Sequence, residues 1–366
     1  MTKLQILIIG TTDILGGAAH ISWALGETLR QRGYSVHYLV SRKYSSSKYV
    51  EALDSSNFHK ISMFWRYFWT FFTSNDLDYG HNADILDHPW YKSTDIVHLH
   101  NLHGNFFNLN TLVQMCKDKK VVWTLHDLWA VLPDVPFLKR KSPFSYPPMI
   151  YPNKKSLLMK KNEIYKNSNF VVVSPSQYMT SKIKSSGMLT YHNIVTILNG
   201  VDISAIENQN NQIKNKSDFI FVGNPSDPRK GFSFIKKAFY KIHGYSLKIL
   251  NNCSHADVID SMKASKAILI PSLEESFCLT AVEAVACGLP IVGFGVGIIP
   301  EIVVHKENGY IAKYSDIEDF KNGIKWATNL SNEQRSKLIK RNQNFVSEEY
   351  SIEKMVSEYE ALFKQL

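Results

Sequence analysis

Short apolar runs, separated by stretches with an apolar stripe, organise this chain from end to end. Leu4-Gln5-Ile6-Leu7-Ile8-Ile9 is the kind of run carried by a strand buried on both faces. Gly10 and then Gly16-Gly17 break it, after which Ile21, Leu25 and Leu29 recur every four residues, the spacing of one helical face. Gly33 stands where a helix closes on a left-handed residue, and Tyr34–Val40 supplies the next apolar run. The first 40 residues therefore predict a βαβ unit opening on a glycine-containing loop.

Further strands fit Asp95–His100, Val121–Leu125 and Phe170–Val173. After the polar stretch Asn208–Ser217, which reads as a linker or exposed loop, a second α/β set begins. Its strands fit Phe219–Val222, Leu247–Leu250, Ala267–Pro271 and Ile291–Phe294, and its helices Phe232–Ile242, Ala256–Ala264 and Thr280–Ala286. Such alternation predicts parallel sheets with helices on both faces. Ligands then belong on the loops beyond the carboxyl ends of the strands. A last helix, Ser351–Leu366, gathers Ile352, Met355, Val356, Tyr359, Leu362 and Phe363 on one face and must dock on something.

Length agrees with two domains, since 366 residues exceed the roughly 100–200 of one. With 44% hydrophobic and 20% charged residues, a large core is available and disorder is excluded as the main reading. A formal charge of +9 favours an anionic partner without choosing among a phosphate-bearing substrate, a membrane surface and a nucleic acid. Cys116, Cys253, Cys278 and Cys287 form no C-x-x-C pair and no metal-ligand spacing, so they read as reduced and intracellular. Leu4–Ile9 is too short for a signal-peptide core, and no stretch reaches the roughly 20 apolar residues of a membrane span.

The segment richest in chemistry is Pro271-Ser-Leu-Glu-Glu-Ser-Phe-Cys-Leu-Thr-Ala-Val-Glu-Ala-Val-Ala-Cys-Gly-Leu-Pro290. A buried strand ends at Pro271, a helix begins near Thr280, and the loop Ser276–Leu279 between them aims backbone amides at the helix N-terminus. Such an end attracts phosphate through unpaired N–H groups and the helix dipole. Glu275 precedes the loop and Glu283 falls in the first helical turn. Two carboxylates flanking a phosphate site suit a ligand with hydroxyls on both sides of its phosphates, as a nucleotide sugar has, because each carboxylate accepts charge-assisted hydrogen bonds. Thr280 and Glu283 also match the capping box Thr-x-x-Glu, so Glu283 has a second reading as a cap of its own helix. Glu275 alone has the plain reading of an exposed loop acid.

Glu275-Ser-Phe-Cys-Leu-Thr-Ala-Val-Glu283-Ala, followed by Gly288-Leu-Pro290, resembles the E-x7-E signature of retaining glycosyltransferases of the GT-B fold, family 4 and group 1. The resemblance continues in the family's order through Gly16-Gly17-Ala18-Ala19, Asp95-Ile-Val-His-Leu-His100, Thr124-Leu-His-Asp127, Asn199-Gly-Val-Asp202, Arg229-Lys-Gly231, Gly297-Ile-Ile-Pro-Glu301 and Asn308-Gly309. It implies two Rossmann-like domains with parallel sheets facing a cleft: residues 1–198 binding the acceptor, residues 199–345 binding the nucleotide sugar, and residues 346–366 returning to the first domain.

The resemblance also implies roles. Glu275 would contact the donor sugar and Glu283 the ribose, while Ser276, Phe277, Cys278, Leu279 and Thr280 would lie against diphosphate and sugar. Lys230 would neutralise the departing diphosphate, a task suited to a point charge, with Arg229 beside it. His126 would sit between acceptor and donor sugar next to Asp127, and Gly16 and Gly17 would let backbone approach the ligand. On the residues alone, a histidine at a strand end has a structural reading too. A zinc site from His98, His100 and His126 lacks an established ligand spacing. The expected reaction retains anomeric configuration and uses no metal or other cofactor. Two positions depart from the family: Asn224 stands where many members carry arginine, leaving more to Lys230, and the loop after His126-Asp127-Leu-Trp129 lacks the cysteine of close relatives.

Rival readings fare worse. An NAD-dependent oxidoreductase needs G-x-G-x-x-G and an acid ending the second strand, whereas Gly10, Gly16 and Gly17 are misspaced and the strand ends Val40-Ser-Arg-Lys43. No nucleic-acid motif appears, so no nucleic-acid partner is expected. A non-catalytic sugar-nucleotide-binding or scaffold protein of the same fold is the main alternative, with a phosphorylase or epimerase behind it. Finally, the aromatic segment Phe64–Phe72 and the basic stretch Lys139, Arg140, Lys141, Lys154, Lys155, Lys160, Lys161 and Lys166 predict a cytoplasmic enzyme held peripherally on an anionic inner membrane face. There it would meet a saccharide or lipid-linked acceptor for a surface polysaccharide. The plainer reading puts the aromatics in the core and the lysines in solvent.

Overall fold

The computed structural model describes residues 3–53, 77–78, 82–104, 106–133, 154–207, 217–241 and 244–366. Phe64–Phe72, Lys139-Arg140-Lys141 and nearly all of the polar stretch 208–217 lie outside them. The chain divides into two compact units, each a parallel α/β layer structure.

The first unit takes the described residues up to Pro175, then Met179–Ile197 and Val356–Leu366. Its seven strands are β1 (Gln5–Thr12), β2 (Ser35–Arg42), β3 (Val50–Ala52), β4 (Ile96–Leu99), β5 (Lys120–Thr124), β6 (Val171–Ser174) and β7 (Ile194–Thr196), all parallel in the order β3-β2-β1-β4-β5-β6-β7. Strand β1 is central, Ile8 lying opposite both Tyr38 and His98, so Ile6–Ile9 are buried whichever way they point. Between β1 and β4 the strand order reverses, which places a crevice at their carboxyl ends. The helix Gly17–Gln31 connects β1 to β2, buries Ile21, Leu25 and Leu29, and ends as expected with Gly33 at φ 87°.

The second unit takes Ser176–Tyr178 and Leu198–Met355. Strands β8 (Phe219–Val222), β9 (Leu247–Leu250), β10 (Ala267–Ile270), β11 (Ile291–Phe294) and β12 (Gly309–Ala312) run parallel in the order β12-β11-β10-β8-β9. Alternate side chains serve two cores: Ile220, Ile268 and Ile270 pack with the helix Leu279–Ala286 on one face, and Phe219, Phe221, Leu269 and Val292 with Phe320 and Ile324 on the other. The order reverses between β8 and β10, so this crevice lies beyond Val222 and Ile270.

Strand β12 and the helices Ile317–Thr328 and Asn332–Glu349 were not among the predicted elements. β12 is four residues opening on glycine and Asn332–Glu349 is mostly polar, so neither shows an apolar period, whereas Ile317–Thr328 does carry one in Phe320, Ile324 and Ala327. The last helix, Ile352–Gln365, changes allegiance along its length, grouping with the first unit from Val356 on. There Tyr359 Oη shares a 2.8 Å hydrogen bond with Thr124 Oγ1, and Glu360 accepts from Arg32 at 2.7 Å and Tyr34 Oη at 2.6 Å.

Candidate functional site

In the second unit the crevice is built from charges. β8 ends at Val222, and the chain passes Gly223 into a 3-10 turn, Pro228–Lys230, whose N-cap Asp227 accepts from Arg229 N. Asp227 also holds the Arg229 side chain through Nε at 3.1 Å and a terminal nitrogen at 2.6 Å. Burial works against its carboxylate, but these bonds outweigh it and leave the pKa below the ordinary value. Gly231 closes the turn at φ 63°, and a Cβ there would lie 1.9 Å from the Pro271 carbonyl oxygen. Only glycine brings the turn this close to the end of β10. Arg229 O then accepts from Leu273 N at 2.7 Å, which ties the turn to the loop carrying Glu275.

Lys230 Nζ donates to Glu275 Oε1 at 2.7 Å, and Ser272 Oγ donates to the same oxygen at 2.8 Å. Oε2 takes neither bond. Burial disfavours the Lys230 ammonium, yet the Glu275 carboxylate more than offsets it and raises the pKa. The pair is partly buried, with Lys230 30% and Glu275 12% exposed, so it is screened less than a surface pair. Gly297 packs against this loop: a Cβ on it would meet Phe277 O at 2.6 Å and Glu275 Cβ at 2.8 Å.

The helix after the loop runs Leu279–Ala286 with Cys278 as N-cap in the left-handed region, φ 84°, and no side chain caps it. The capping-box reading of Thr280 and Glu283 therefore fails: Thr280 is already inside the helix, and Glu283 falls in the second turn, not the first. Glu283 Oε1 instead accepts from His255 Nε2 at 2.9 Å, a bond that raises the His255 pKa. Phe277 and Cys278 are buried, and burial pushes the Cys278 thiol up to about 12, so it is inert. Ser276, Leu279, Thr280 and Glu283 are partly buried.

In the first unit the corresponding end combines buried histidine rings with two carboxylates, Asp127 and the buried Asp13, which accepts from Tyr44 N and Ser45 N. Gly16 (φ 99°) precedes the helix beginning at Gly17 at the end of β1. Beside β1, β4 ends at Leu99 and leads into His100, and β5 leads into Leu125-His126-Asp127. His100 Nδ1 and His126 Nε2 lie 2.7 Å apart, while His98 Nε2 meets Thr124 Oγ1 at 2.8 Å. Burial takes His126 down to about 4 against the opposing pull of Asp127, takes His98 to about 3, and takes His100 well below its ordinary value. Asp127 caps Trp129 N at 2.8 Å and pairs with His103 Nε2 at 3.0 Å. Among the described residues no three His, Cys, Asp or Glu side chains form a group able to hold a metal ion.

The sequence-predicted residues thus gather in two sets, Lys230, Arg229, Glu275 and Glu283 in one unit and Gly16, Gly17, His126 and Asp127 in the other. Four partners escaped sequence reading: Asp227, Ser272, His255 and His103. Asp227-Pro228 carried a turn signal, but the other three become partners only through the fold.

Comparison with known proteins follows the same division. The model of Glycosyltransferase Family 4 matches residues 15–205, and that of Glycosyl transferases group 1 matches residues 203–345. Among curated relatives, the N-acetyl-alpha-D-glucosaminyl L-malate synthase of Bacillus anthracis is 33% identical over 109 residues, covering 29% of this chain and 28% of its own. A glycosyltransferase of Haemophilus influenzae described as uncharacterized is 26% identical over 209 residues, covering 50% and 56%. The chain thus spans about half or less of the length of these relatives. Similar solved structures include a sucrose-phosphate synthase from Thermosynechococcus elongatus (TM-score 0.70, 15% identity, 99% of each chain). Another is HepE of Anabaena in complex with UDP-glucose (TM-score 0.66, 15% identity, 99% of this chain and 100% of that one). No described helix is long and apolar enough to cross a membrane. With parallel sheets in both units matching GT-B structures, and the family 4 model alone covering over half of the residues, the chain belongs to the family 4 glycosyltransferases of the GT-B fold.

Proposed function

We propose that the protein transfers a sugar from a nucleotide-sugar donor to a saccharide or lipid-linked saccharide acceptor with retention of anomeric configuration. The observation that carries this reading is the Lys230–Glu275 ion pair at the reversal point of the second sheet, beside the uncapped N-terminus of Leu279–Ala286. Glu275 Oε1 holds the ammonium and leaves Oε2 to accept from hydroxyls of the donor sugar. Lys230, already fixed in place, meets the diphosphate whose charge grows as the glycosidic bond breaks. A preorganised cation there stabilises the transition state more than the ground state. The amides of Ser276–Thr280 face the same phosphates. Glu283 Oε2, the oxygen that His255 does not occupy, accepts from the ribose. Arg229, held by Asp227, adds positive potential more than a direct contact. His126 and Asp127, with the backbone at Gly16-Gly17, serve the acceptor and the transferred sugar.

In this reading Lys230 and the helix N-terminus supply what a metal supplies elsewhere, and transfer needs no divalent cation. Lys161 cannot take part in membrane contact as the sequence predicted, because it is buried and donates to Trp129 O and Leu132 O, and Lys160 is paired with Asp78. The exposed Lys154, Lys155 and Lys166, with Lys139-Arg140-Lys141 and Phe64–Phe72, hold the enzyme on an anionic inner membrane face, where a lipid-linked acceptor for surface polysaccharide is presented. Sedimentation with vesicles tests the membrane part: binding should require anionic lipid and fall as salt rises.

The donor is tested by thermal shift and hydrolysis across sugar nucleotides, with UDP-glucose first because the Anabaena neighbour was solved with it. A ligand that binds only the folded state raises the melting temperature with its concentration, about 2.7 kcal/mol at 100 Kd. A donor that stabilises and is turned over supports transfer. One that stabilises without turnover, with or without added saccharides, supports a binding protein of the same fold, and no response to any sugar nucleotide removes the proposal.

A further inference from the structure

The end of the first sheet holds a pair of buried rings whose hydrogen-bond accounting has one economical solution. His100 and His126 are 3% and 8% exposed, their planes are inclined by only 14°, and Nδ1 of the first faces Nε2 of the second at 2.7 Å. A hydrogen bond between two neutral imidazoles needs one donor and one acceptor. If His126 Nε2–H donates, His100 Nδ1 accepts and the His100 proton must sit on Nε2. That nitrogen is buried with no hydrogen-bond partner among the described residues. An N–H sealed away from water and acceptors is rare in folded proteins, whereas an under-satisfied acceptor is tolerated more often. The alternative keeps the proton on His100 Nδ1, donates it to His126 Nε2, and leaves only a bare lone pair at the buried Nε2.

We infer that His100 is a positioning residue that holds His126 in the tautomer protonated on Nδ1, so that His126 meets its ligand as a hydrogen-bond donor. This rests on the reading of His126 as a ligand-facing residue and deepens it. The backbone makes His100 a rigid reference: its N–H donates to Ile9 O at 2.9 Å, its carbonyl accepts from Trp123 Nε1 at 2.8 Å, and its ring lies 4.3 Å from that of His98. His126 Nδ1–H can then donate to a hydroxyl, ring or phosphate oxygen. It has no lone pair on that nitrogen with which to withdraw a proton, so a general-base role through Nδ1 is excluded.

Long-range proton–nitrogen correlation on the full chain labelled with 15N-histidine reads the tautomer directly, with peaks assigned through His100→Asn and His126→Asn. The expected pattern for His126 at pH 7 is a protonated Nδ1 and a bare Nε2, and the same for His100. The opposite pattern at His126, or doubly protonated rings, overturns the inference, and this readout needs no substrate. Transfer assays supply the second arm. His100→Leu should lower kcat about tenfold, the loss of one positioned hydrogen bond, with little change in donor KM. His100→Asn, whose amide N–H can stand where Nδ1–H stood, should restore most of it. Equal losses in both variants overturn the positioning role. Failure to transfer from any donor while the tautomer pattern holds would instead discard the functional reading beneath it.

Discussion

The two sheets end in opposite kinds of chemistry. At the reversal point of the second, charges are paired: Lys230 with Glu275, Arg229 with Asp227 and His255 with Glu283. At that of the first, three histidines are buried and held neutral, and Asp127, next to His126, is spent on a backbone amide and His103. A half-buried ion pair costs desolvation and stays only where its charge is held in place, which suits a site that meets phosphates whose charge changes during reaction. Neutral rings suit hydroxyl recognition, where a fixed donor is wanted without a net charge. The difference teaches that two units of the same layer architecture can differ entirely in the electrostatics of their strand ends.

Removing the cation breaks the contrast most severely. Lys230→Ala leaves Glu275 without its counter-charge and, on the proposed function, the diphosphate without its neutraliser, so transfer should fall about 10²–10³-fold, the scale for one preorganised electrostatic contact. Steady-state kinetics with circular dichroism to confirm folding checks it, and a loss below tenfold would deny Lys230 the role. Glu275→Gln keeps shape and removes charge. On the proposed function a loss of about 10²-fold in kcat is expected, more than in donor affinity, because the hydroxyl contacts assigned to Glu275 would tighten as the sugar becomes cationic.

Glu283→Gln should cost about tenfold in donor affinity, read by calorimetry, the worth of a charge-assisted bond reduced to a neutral one. It also removes the bond that raises the His255 pKa. A raised histidine adds stability that is full below its unfolded pKa and fades as pH rises through the folded one. The melting-temperature gap between native protein and variant should therefore be widest in mild acid and close on the alkaline side. A constant gap across pH would assign the effect to packing.

For the first unit the sign reverses. His126 is lowered to about 4 and His98 to about 3, so their contribution is full above the unfolded value near 6.5 and is lost as pH falls through that window. Hydrogen exchange at pH 5 should show the first sheet losing protection before the second, and His98→Leu should flatten that loss. The smallest effect is expected from Glu360→Gln, which weakens the contacts to Arg32 and Tyr34. These are partly exposed, so about 0.5–1 kcal/mol is expected, read as earlier exchange of the last helix.

Much of this was legible in the chain itself. Phe219–Val222, Leu247–Leu250 and Ile291–Phe294 are strands with the bounds that their apolar runs predict, because a strand covered on both faces has no freedom to carry polar residues. The glycine loop, the strand-end histidines and the Glu275–Glu283 spacing were visible for a related reason: sharp turns and polar groups at the ends of apolar runs stand out locally. Tertiary structure decided what distance in sequence conceals. It set Glu283 against His255 instead of its own helix cap, Lys230 onto one oxygen of Glu275, and His100 against His126, and it switched the last helix to the first unit at Val356. Sequence pattern reports which residues avoid water. Which polar groups then find one another depends on strand order and register, and those are settled only when the cores close.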